Sequence, residues 1–178
     1  MSEKRPAIFV DRDGTLVEEV NYLSRVEDLQ IFPYTREALE LFRSKNFLII
    51  VVTNQSGIGR GIYDERAMES IHEQMRTELD CLIDRFYFCP HLPESHCACR
   101  KPGIGMIENA MADFAIERKK SWMIGDKKID VETGENAKTK TALVLTGYGE
   151  AHRKLLHRPP DIVAADLLAA ARRIIGFA

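Results

Sequence analysis

The chain has 178 residues, which is enough for one domain and too few for two of ordinary size. Lysine and arginine total 25 and aspartate and glutamate total 27, and this near-neutral charge of −2 argues against a dedicated surface for nucleic acid or an anionic membrane. No apolar run reaches the roughly 20 residues that span a bilayer, and the first residues lack a signal-peptide pattern, so we expect a cytoplasmic protein with a single domain over residues 1–178.

Apolar runs alternate with amphipathic stretches along the chain. The apolar runs predict strands over residues 7–10, 47–52, 86–89, 122–124 and 142–145, and a short edge strand over 162–163. Helical spacing predicts helices over 35–45, 64–82, 105–114 and 166–175, and Asp64 is a suitable N-cap for the second of them. This alternation is typical of an α/β domain with a mostly parallel sheet, in which ligands bind beyond the carboxyl ends of the strands.

Two aspartates follow the first predicted strand. Asp11 and Asp13 can turn toward one pocket if the chain bends, and Gly14 supplies a bend. Carboxylates so close repel each other unless a cation lies between them or one is protonated. Both solutions suit phosphoryl transfer, with Asp11 as the nucleophile beside a divalent metal and Asp13 as the general acid–base. An ordinary Asp-x-Asp-Gly turn is the alternative.

Polar residues also follow or precede other predicted elements. Thr53 and Asn54 end the second strand, where a hydroxyl and an amide suit a bound phosphate, although both residues are ordinary in turns. Lys101 precedes the helix at 105 and can neutralise a phosphate, although such a lysine is usually solvated. Asp126 follows the fourth strand and can complete a metal site with Asp11, although it also suits a helix N-cap.

The order of these motifs over residues 8–130 resembles the haloacid dehalogenase (HAD) superfamily. The resemblance implies a Rossmann-like α/β fold and an aspartyl-phosphate that forms on Asp11. It also implies that Asp13 protonates the leaving oxygen and then activates water. The remaining implied roles are phosphoryl contacts for Thr53 and Lys101, a Mg²⁺ site of Asp11, Asp126 and the backbone carbonyl of Asp13, and a supporting role for Asp130.

A cluster of cysteines precedes Lys101. Cys89, His91, Cys97 and Cys99 supply three thiolates and an imidazole, a common tetrahedral zinc arrangement. His96 is a competing ligand, and free thiols or a disulfide are the other interpretations. Because four protein ligands leave no open position, we predict a structural Zn²⁺ that fixes residues 89–99 ahead of the basic pair at 100–101.

The chain offers little room for a cap domain, since only about twenty residues separate the first motif from the helix at 35. A capless domain, the zinc loop and the TNQSGIGRG segment together resemble the heptose bisphosphate phosphatase family. That resemblance implies Mg²⁺-dependent hydrolysis of the C7 phosphate of D-glycero-D-manno-heptose 1,7-bisphosphate, in making the heptose of bacterial lipopolysaccharide or related glycans. It further implies a monomer whose partner is a small phosphorylated sugar. The implied substrate contacts are Glu19, Val20, Asn21, Tyr22, Asn54, Gln55, Ser56, Arg100 and Lys127.

Two departures from that family keep other substrates open. The EEVNYL segment replaces a more familiar aspartate–histidine–glycine–tyrosine stretch, and the zinc loop is short, as in the sister group of histidinol-phosphate phosphatases. Histidinol phosphate is cationic, and Glu18 or Glu19 is a possible partner for its amine. A zinc-stabilised binding module without catalytic activity is the alternative from a different functional class.

Overall fold

The computed structural model describes residues 3–176. Its strands are β1 (Ala7–Val10), β2 (Leu48–Asn54), β3 (Arg85–Cys89), β4 (Trp122–Gly125), β5 (Lys140–Val144) and β6 (Ile162–Ala164). Its helices are α1 (Thr35–Ser44), α2 (Ser56–Gly59), α3 (Glu65–Glu78), α4 (Gly105–Asp113), α5 (Lys128–Ala137), α6 (Gly149–Arg153) and α7 (Leu167–Ile174). Each strand that the sequence predicts is present, with ends shifted by at most two residues.

The strands form one sheet in the order β3-β2-β1-β4-β5-β6, and its five pairings are all parallel. This is the doubly wound, Rossmann-like order, and it confirms the predicted α/β class. The order of strands reverses between β1 and β4. Ligands bind beyond the carboxyl ends of the strands at such a switch point, so this edge of the sheet is the expected place for a site.

Alternate residues of β1 explain why the sheet is covered on both faces. Ile8 and Val10 belong to a core cluster that includes Phe42 of α1. Phe9 faces the opposite way, into a second cluster with Met106 of α4. Because a strand buried on both faces needs apolar residues at every position, the continuous AIFV run is what this central strand requires.

Helices α2, α5 and α6 were not predicted, and α3 ends earlier than predicted. Helix α3 ends at Glu78 rather than at residue 82, because Asp80 and Cys81 adopt left-handed backbone with φ of 49° and 55°. Leu79 continues the apolar spacing only because it packs into the core after the helix has ended. Helix α5 was not predicted, since its sequence is polar and contains Gly134, whose position would place a Cβ 2.6 Å from Thr141. That glycine lets α5 approach the sheet closely.

The described residues contain no cap domain. Between β1 and α1 the chain forms a short 3-10 turn at Val26–Asp28 and isolated bridges that link Val17 to Asp13 and Ile31. The segment from β3 to α4 carries the cysteine cluster, as the sequence predicts. Within residues 3–176, no helix is long and apolar enough to cross a membrane. The site at the switch point is therefore enclosed by loops alone.

Candidate active site and cysteine cluster

The register of the sheet brings three predicted site residues to one edge. Val10 pairs with Val51 on one side and with Ile124 on the other. The residues that follow these pairs include Asp11, Thr53 and Asp126, so the parallel strands deliver them together although they are distant in the chain.

A buried lysine connects two of the carboxylates. The Nζ atom of Lys101 lies 2.8 Å from Oδ1 of Asp11 and 2.6 Å from Oδ1 of Asp130. Burial opposes ionisation of Asp11, but the charges of Lys101 and Lys127 outweigh it and hold the pKa of that carboxyl below its usual value. Burial likewise opposes the charge on Lys101, yet the two carboxylates raise its pKa. Asp11 is therefore held ionised, as a nucleophile must be.

The carboxylates also suit a divalent cation. Carboxylate oxygens of Asp11, Asp126 and Asp130 lie within 4.8 Å of one another. Asp126 is fully buried, and its Oδ1 has no hydrogen-bond partner, while Oδ2 accepts from the backbone N–H of Tyr148 at 2.8 Å. Burial and the charge of Asp11 raise the pKa of Asp126 to about 8. A buried, unpartnered carboxylate oxygen beside a second carboxylate is a fit for Mg²⁺, which prefers oxygen ligands.

Asp130 has a different role from the two aspartates before it. Its Oδ1 accepts from Lys101 Nζ, and its Oδ2 accepts from the backbone N–H of Lys127 at 2.9 Å, which caps α5. Because both oxygens are occupied, Asp130 holds Lys101 in place rather than offering a free ligand atom. Asp126 is not the N-cap of α5, since Lys127 holds that position.

Gly14 allows the loop after β1 to approach Asp126. It has a φ of 80°, which favours glycine, and a Cβ at this position would lie 2.4 Å from Oδ2 of Asp126. The bend that the sequence predicts at Gly14 is confirmed, and close approach is a second reason for glycine there.

The predicted phosphate-binding residues have defined partners. Thr53 Oγ1 accepts from Nε2 of Gln55 at 2.8 Å, so its own hydrogen can point elsewhere. The side chain of Asn54 donates to the backbone carbonyl of Lys101 at 3.2 Å and accepts from its N–H at 3.0 Å. Asn54 therefore ties the Lys101 segment to the end of β2.

A cavity of about 290 Å³ lies above these groups. On its rim, Lys127 Nζ lies 2.9 Å from Oε2 of Glu19 and 4.9 Å from the centre of the Tyr148 ring. Burial opposes the charge on Lys127, but Asp11, Asp126 and Glu19 raise its pKa, so Lys127 stays protonated. The predicted residues that line the cavity are Asp11, Asp13, Glu19, Asn21, Tyr22, Thr53, Asn54, Gln55, Ser56, Arg100, Lys101 and Lys127.

One predicted substrate contact does not line the cavity, and five lining residues were not among the predicted contacts. Val20 does not line the cavity, because its side chain packs against the core beneath the loop. The lining residues that were missed are Arg12, Leu23, Tyr63, Ile129 and Tyr148. Arg12 lies between the two motif aspartates, which was a signal for it. Ile129 reaches the cavity from α5, and the other three reach it from loops.

The cysteine cluster converges as predicted. Cys89 Sγ lies 3.4 Å from Cys97 Sγ and 2.9 Å from Cys99 Sγ, and His91 Nδ1 lies 3.3 Å from Cys99 Sγ. Burial and the hydrogen bond with Cys99 raise the pKa of Cys89, whereas at Cys97 the effect of burial is outweighed by hydrogen bonds from Ser95 and the other two cysteines, which lower its pKa to about 6. Arg100 follows directly and donates to the backbone carbonyl of His91 at 3.0 Å. The cluster therefore sets the path of the chain into the cavity.

Comparisons with known proteins agree with the fold. The parallel sheet and the carboxylates at its switch point define a hydrolase of the HAD type, and a family model described as HAD-hydrolase-like matches residues 98–170. The chain is 39% identical over 174 residues to a D-glycero-beta-D-manno-heptose-1,7-bisphosphate 7-phosphatase from Haemophilus ducreyi, which covers 92% of this chain and 95% of that protein. It therefore belongs to the family of D-glycero-D-manno-heptose-1,7-bisphosphate 7-phosphatases.

Two further relatives bear on the details. A D-glycero-alpha-D-manno-heptose-1,7-bisphosphate 7-phosphatase from Photorhabdus laumondii is 38% identical over 152 residues, which cover 79% of this chain and 82% of that protein. The crystal structure of D,D-heptose 1,7-bisphosphate phosphatase from B. bronchiseptica, complexed with magnesium and phosphate, matches with a TM-score of 0.90 and 27% identity. That match covers 97% of this chain and 99% of the other. The relatives thus include enzymes named for each anomer.

Proposed function

We propose that this protein is a Mg²⁺-dependent phosphatase that removes the C7 phosphate from D-glycero-D-manno-heptose 1,7-bisphosphate. The observation that carries the proposal is the buried Asp11, held by Lys101 beneath a cavity whose rim carries further positive charge. The names of the relatives support the choice of substrate.

The first step forms a covalent bond to Asp11. A carboxylate oxygen of Asp11 attacks the phosphorus atom, and the bond from phosphorus to the C7 oxygen breaks. The proton that the departing oxygen needs comes from the carboxyl group of Asp13. Thr53 and Lys101 donate hydrogens toward the phosphoryl oxygens, whose negative charge is spread over several atoms in the transition state.

The second step releases phosphate. Asp13, now ionised, takes a proton from a water molecule that attacks the phosphorus atom of the aspartyl-phosphate. The bond between phosphorus and the Asp11 oxygen breaks, which regenerates both carboxyl groups in their starting states. A Mg²⁺ ion held by Asp11 and Asp126 would add positive charge against the transferring group.

The rim supports recognition of a substrate with two phosphates. Arg100 and Lys127 are cations that line the cavity apart from Lys101, and we assign them to the second phosphate. Glu19 is paired with Lys127, so this ion pair must open before either group binds substrate. The preference for the bisphosphate over histidinol phosphate is therefore supported by the names of the relatives.

The test compares kcat/KM for both anomers of the heptose bisphosphate, for histidinol phosphate and for a panel of sugar monophosphates. Phosphorus NMR of the product shows which phosphate has left. We expect the heptose bisphosphate to be preferred, with the C1 phosphate retained. A preference for histidinol phosphate would overturn the substrate, and phosphate release from no substrate would favour the binding module.

A further inference from the structure

A completely buried arginine lies between the two motif aspartates and takes no part in the mechanism above. Arg12 is 0% exposed, and its Nε lies 3.1 Å from Oδ1 of Asp13. Its Nη2 lies 3.0 Å from Oε1 of Gln55, and its Nη1 lies 3.3 Å from Nε2 of His72. A buried guanidinium must have partners for its hydrogens, so these three contacts fix its plane.

His72 supplies the partner on the side away from the cavity. It belongs to α3, is 5% exposed, and its ring stacks on Phe86 with a centroid separation of 4.4 Å. Because arginine can only donate, Nε2 of His72 must accept, which requires a neutral imidazole with its hydrogen on Nδ1. With Nη1 held there, the edge of Arg12 that carries Nε and Nη2 faces Asp13.

Gln55 forms a second connection to Asp13, and Tyr63 orients it. Nε2 of Gln55 donates to Oδ2 of Asp13 at 2.9 Å and to Thr53 at 2.8 Å. Its Oε1 accepts from Arg12 and, at 2.5 Å, from the hydroxyl of Tyr63. Burial raises the pKa of Tyr63 to about 12, so this hydroxyl keeps its hydrogen. The amide therefore has one favourable orientation, with its NH₂ group toward Asp13.

We propose that His72 and Tyr63 are positioning residues for the acid–base carboxyl of Asp13, His72 acting through Arg12 and Tyr63 acting through Gln55. The proposal rests on the proposed function, in which Asp13 delivers the proton to the leaving oxygen. Neither residue contacts the reacting atoms. Loss of either one lets the carboxyl group of Asp13 move away from the leaving oxygen while Asp11 and Lys101 keep their mutual contact.

The test compares two substrates whose leaving groups differ in how much they need a proton as they depart. An alkyl phosphate such as the C7 phosphate needs protonation as its oxygen departs, whereas p-nitrophenyl phosphate needs little. The value of kcat/KM reports steps up to departure of the leaving group and excludes the later hydrolysis of the aspartyl-phosphate. Asp13→Asn is the benchmark, and it should lower the ratio of alkyl to aryl kcat/KM by several orders of magnitude.

Tyr63→Phe keeps the ring and removes only the hydroxyl. We expect it to lower the ratio of alkyl to aryl kcat/KM on the order of tenfold, since about 1 Å of misplacement can cost on the order of a hundredfold in rate. His72→Leu should lower the same ratio, and His72→Gln should restore it, because its amide oxygen can accept from Arg12 in place of the imidazole.

Ile71→Val is the matched control. Ile71 is the neighbour of His72 on α3 and is fully buried in the core, so its truncation weakens packing without touching the polar connections. It should leave the alkyl-to-aryl ratio unchanged. If His72→Leu fails to fold, Tyr63→Phe still decides the role of Tyr63, and His72→Gln compared with His72→Asn decides the role of His72, since the shorter amide should not reach Arg12.

An unchanged ratio of alkyl to aryl kcat/KM in Tyr63→Phe and His72→Leu would overturn the proposal, even if kcat/KM fell equally with both substrates. Failure of the proposed function is distinguishable, because it appears in the wild-type protein. A wild type that ignores heptose bisphosphate but hydrolyses another sugar phosphate loses the assigned substrate only, and the ratio is then measured with that alkyl phosphate.

Discussion

The reactivity of Asp11 depends on one ammonium group shared between two carboxylates. Lys101 Nζ contacts Asp11 and Asp130 in a region from which water is almost excluded, since Lys101 is 3% exposed. Buried opposite charges at this distance attract strongly, and removing one partner leaves an uncompensated charge. Lys101 is therefore not the solvated lysine that its sequence position also allowed, and its charge lies beside the carboxylate of Asp11.

At this scale the first prediction concerns the nucleophile. Asp11→Asn keeps the shape of the side chain but removes the attacking charge, so kcat should fall by several orders of magnitude while the fold persists. Steady-state phosphate release measures the loss, and circular dichroism checks the fold. Retention of more than about a tenth of wild-type kcat would remove Asp11 from this role.

The second prediction concerns stability and pH. Burial and the charges of Arg12 and Arg76 lower the pKa of His72 to about 3. The unfolded chain binds a proton at this histidine below its ordinary pKa of 6.5, and the folded protein does not. The contribution of His72 to the free energy of unfolding is therefore fully present above a pH of about 6.5. It falls as the pH drops from about 6.5 toward about 3, by up to about 1.4 kcal/mol per pH unit.

Urea unfolding at pH values of about 7 and about 5 measures the effect, with His72→Gln as the control. The wild type should lose more free energy of unfolding between the two pH values than His72→Gln does, because glutamine does not titrate. Equal losses in the two proteins would mean that His72 is not held neutral by the fold.

Three of the site residues that the sequence predicted follow predicted strands closely. The end of a strand can be recognised in the sequence as the end of an apolar run, which is why Asp11, Thr53 and Asp126 were found. Contacts made from the side of a helix, such as that of His72, depend on how α3 packs and leave no pattern in the sequence. Gln55 illustrates the limit, because the sequence indicated a substrate contact whereas its amide is engaged by four protein groups.

The cysteine segment acts at the scale of an element. It begins at the end of β3 and leads into Arg100 and Lys101 before α4 starts. Asn54 holds the backbone of Lys101 from β2, and the cluster holds the segment from the other side. Two anchors on a segment without regular structure restrict where the Lys101 side chain can enter the site.

We therefore predict that Cys99→Ser lowers kcat and raises KM. A serine cannot replace the thiolate, so the segment loosens and Lys101 shifts from Asp11, where about 1 Å can cost on the order of a hundredfold in rate. Elemental analysis should find about one zinc per wild-type chain and little in the variant. Cys81→Ser is the matched control, because Cys81 is an exposed cysteine that does not belong to the cluster.

A wild-type protein without zinc and with four titrating thiols would contradict the proposed zinc site. Zinc loss in Cys99→Ser with unchanged kinetics would keep the zinc site but show that it does not influence Lys101.

Among the secondary-structure elements, the sequence predicted the strands well because each is a continuous apolar run. It missed α5 because close packing on the sheet, through Gly134, replaces the usual amphipathic pattern.

At the scale of the whole molecule, the fold concentrates buried acidic groups at one point. Asp11 is delivered by β1, Asp126 by β4 and Asp130 by α5, and all three are buried. Lys101 neutralises part of this charge, yet Asp126 Oδ1 has no hydrogen-bond partner. A site of this kind is destabilising for an isolated domain and becomes stabilising when a ligand that binds only the folded state supplies the missing charge.

The last prediction follows from that balance. Mg²⁺ should raise the Tm, because its charge relieves the repulsion between Asp11 and Asp126. EDTA should abolish phosphate release and added Mg²⁺ should restore it, since a site with few protein ligands exchanges its ion freely. Zinc held by four protein ligands should survive mild chelation, so elemental analysis before and after EDTA separates the two metals.

Asp126→Asn separates this effect from general binding of cations to an acidic surface. Above the raised pKa of Asp126 of about 8, the substitution removes one of the repelling charges, so its Tm without Mg²⁺ should there exceed that of the wild type. It should respond little to Mg²⁺. A surface variant, Glu94→Gln on the exposed side of the cysteine segment, should respond as the wild type does. Equal responses in Asp126→Asn and the wild type would place the stabilising cation elsewhere, because the buried Asp126 carboxylate is what couples Mg²⁺ to folding.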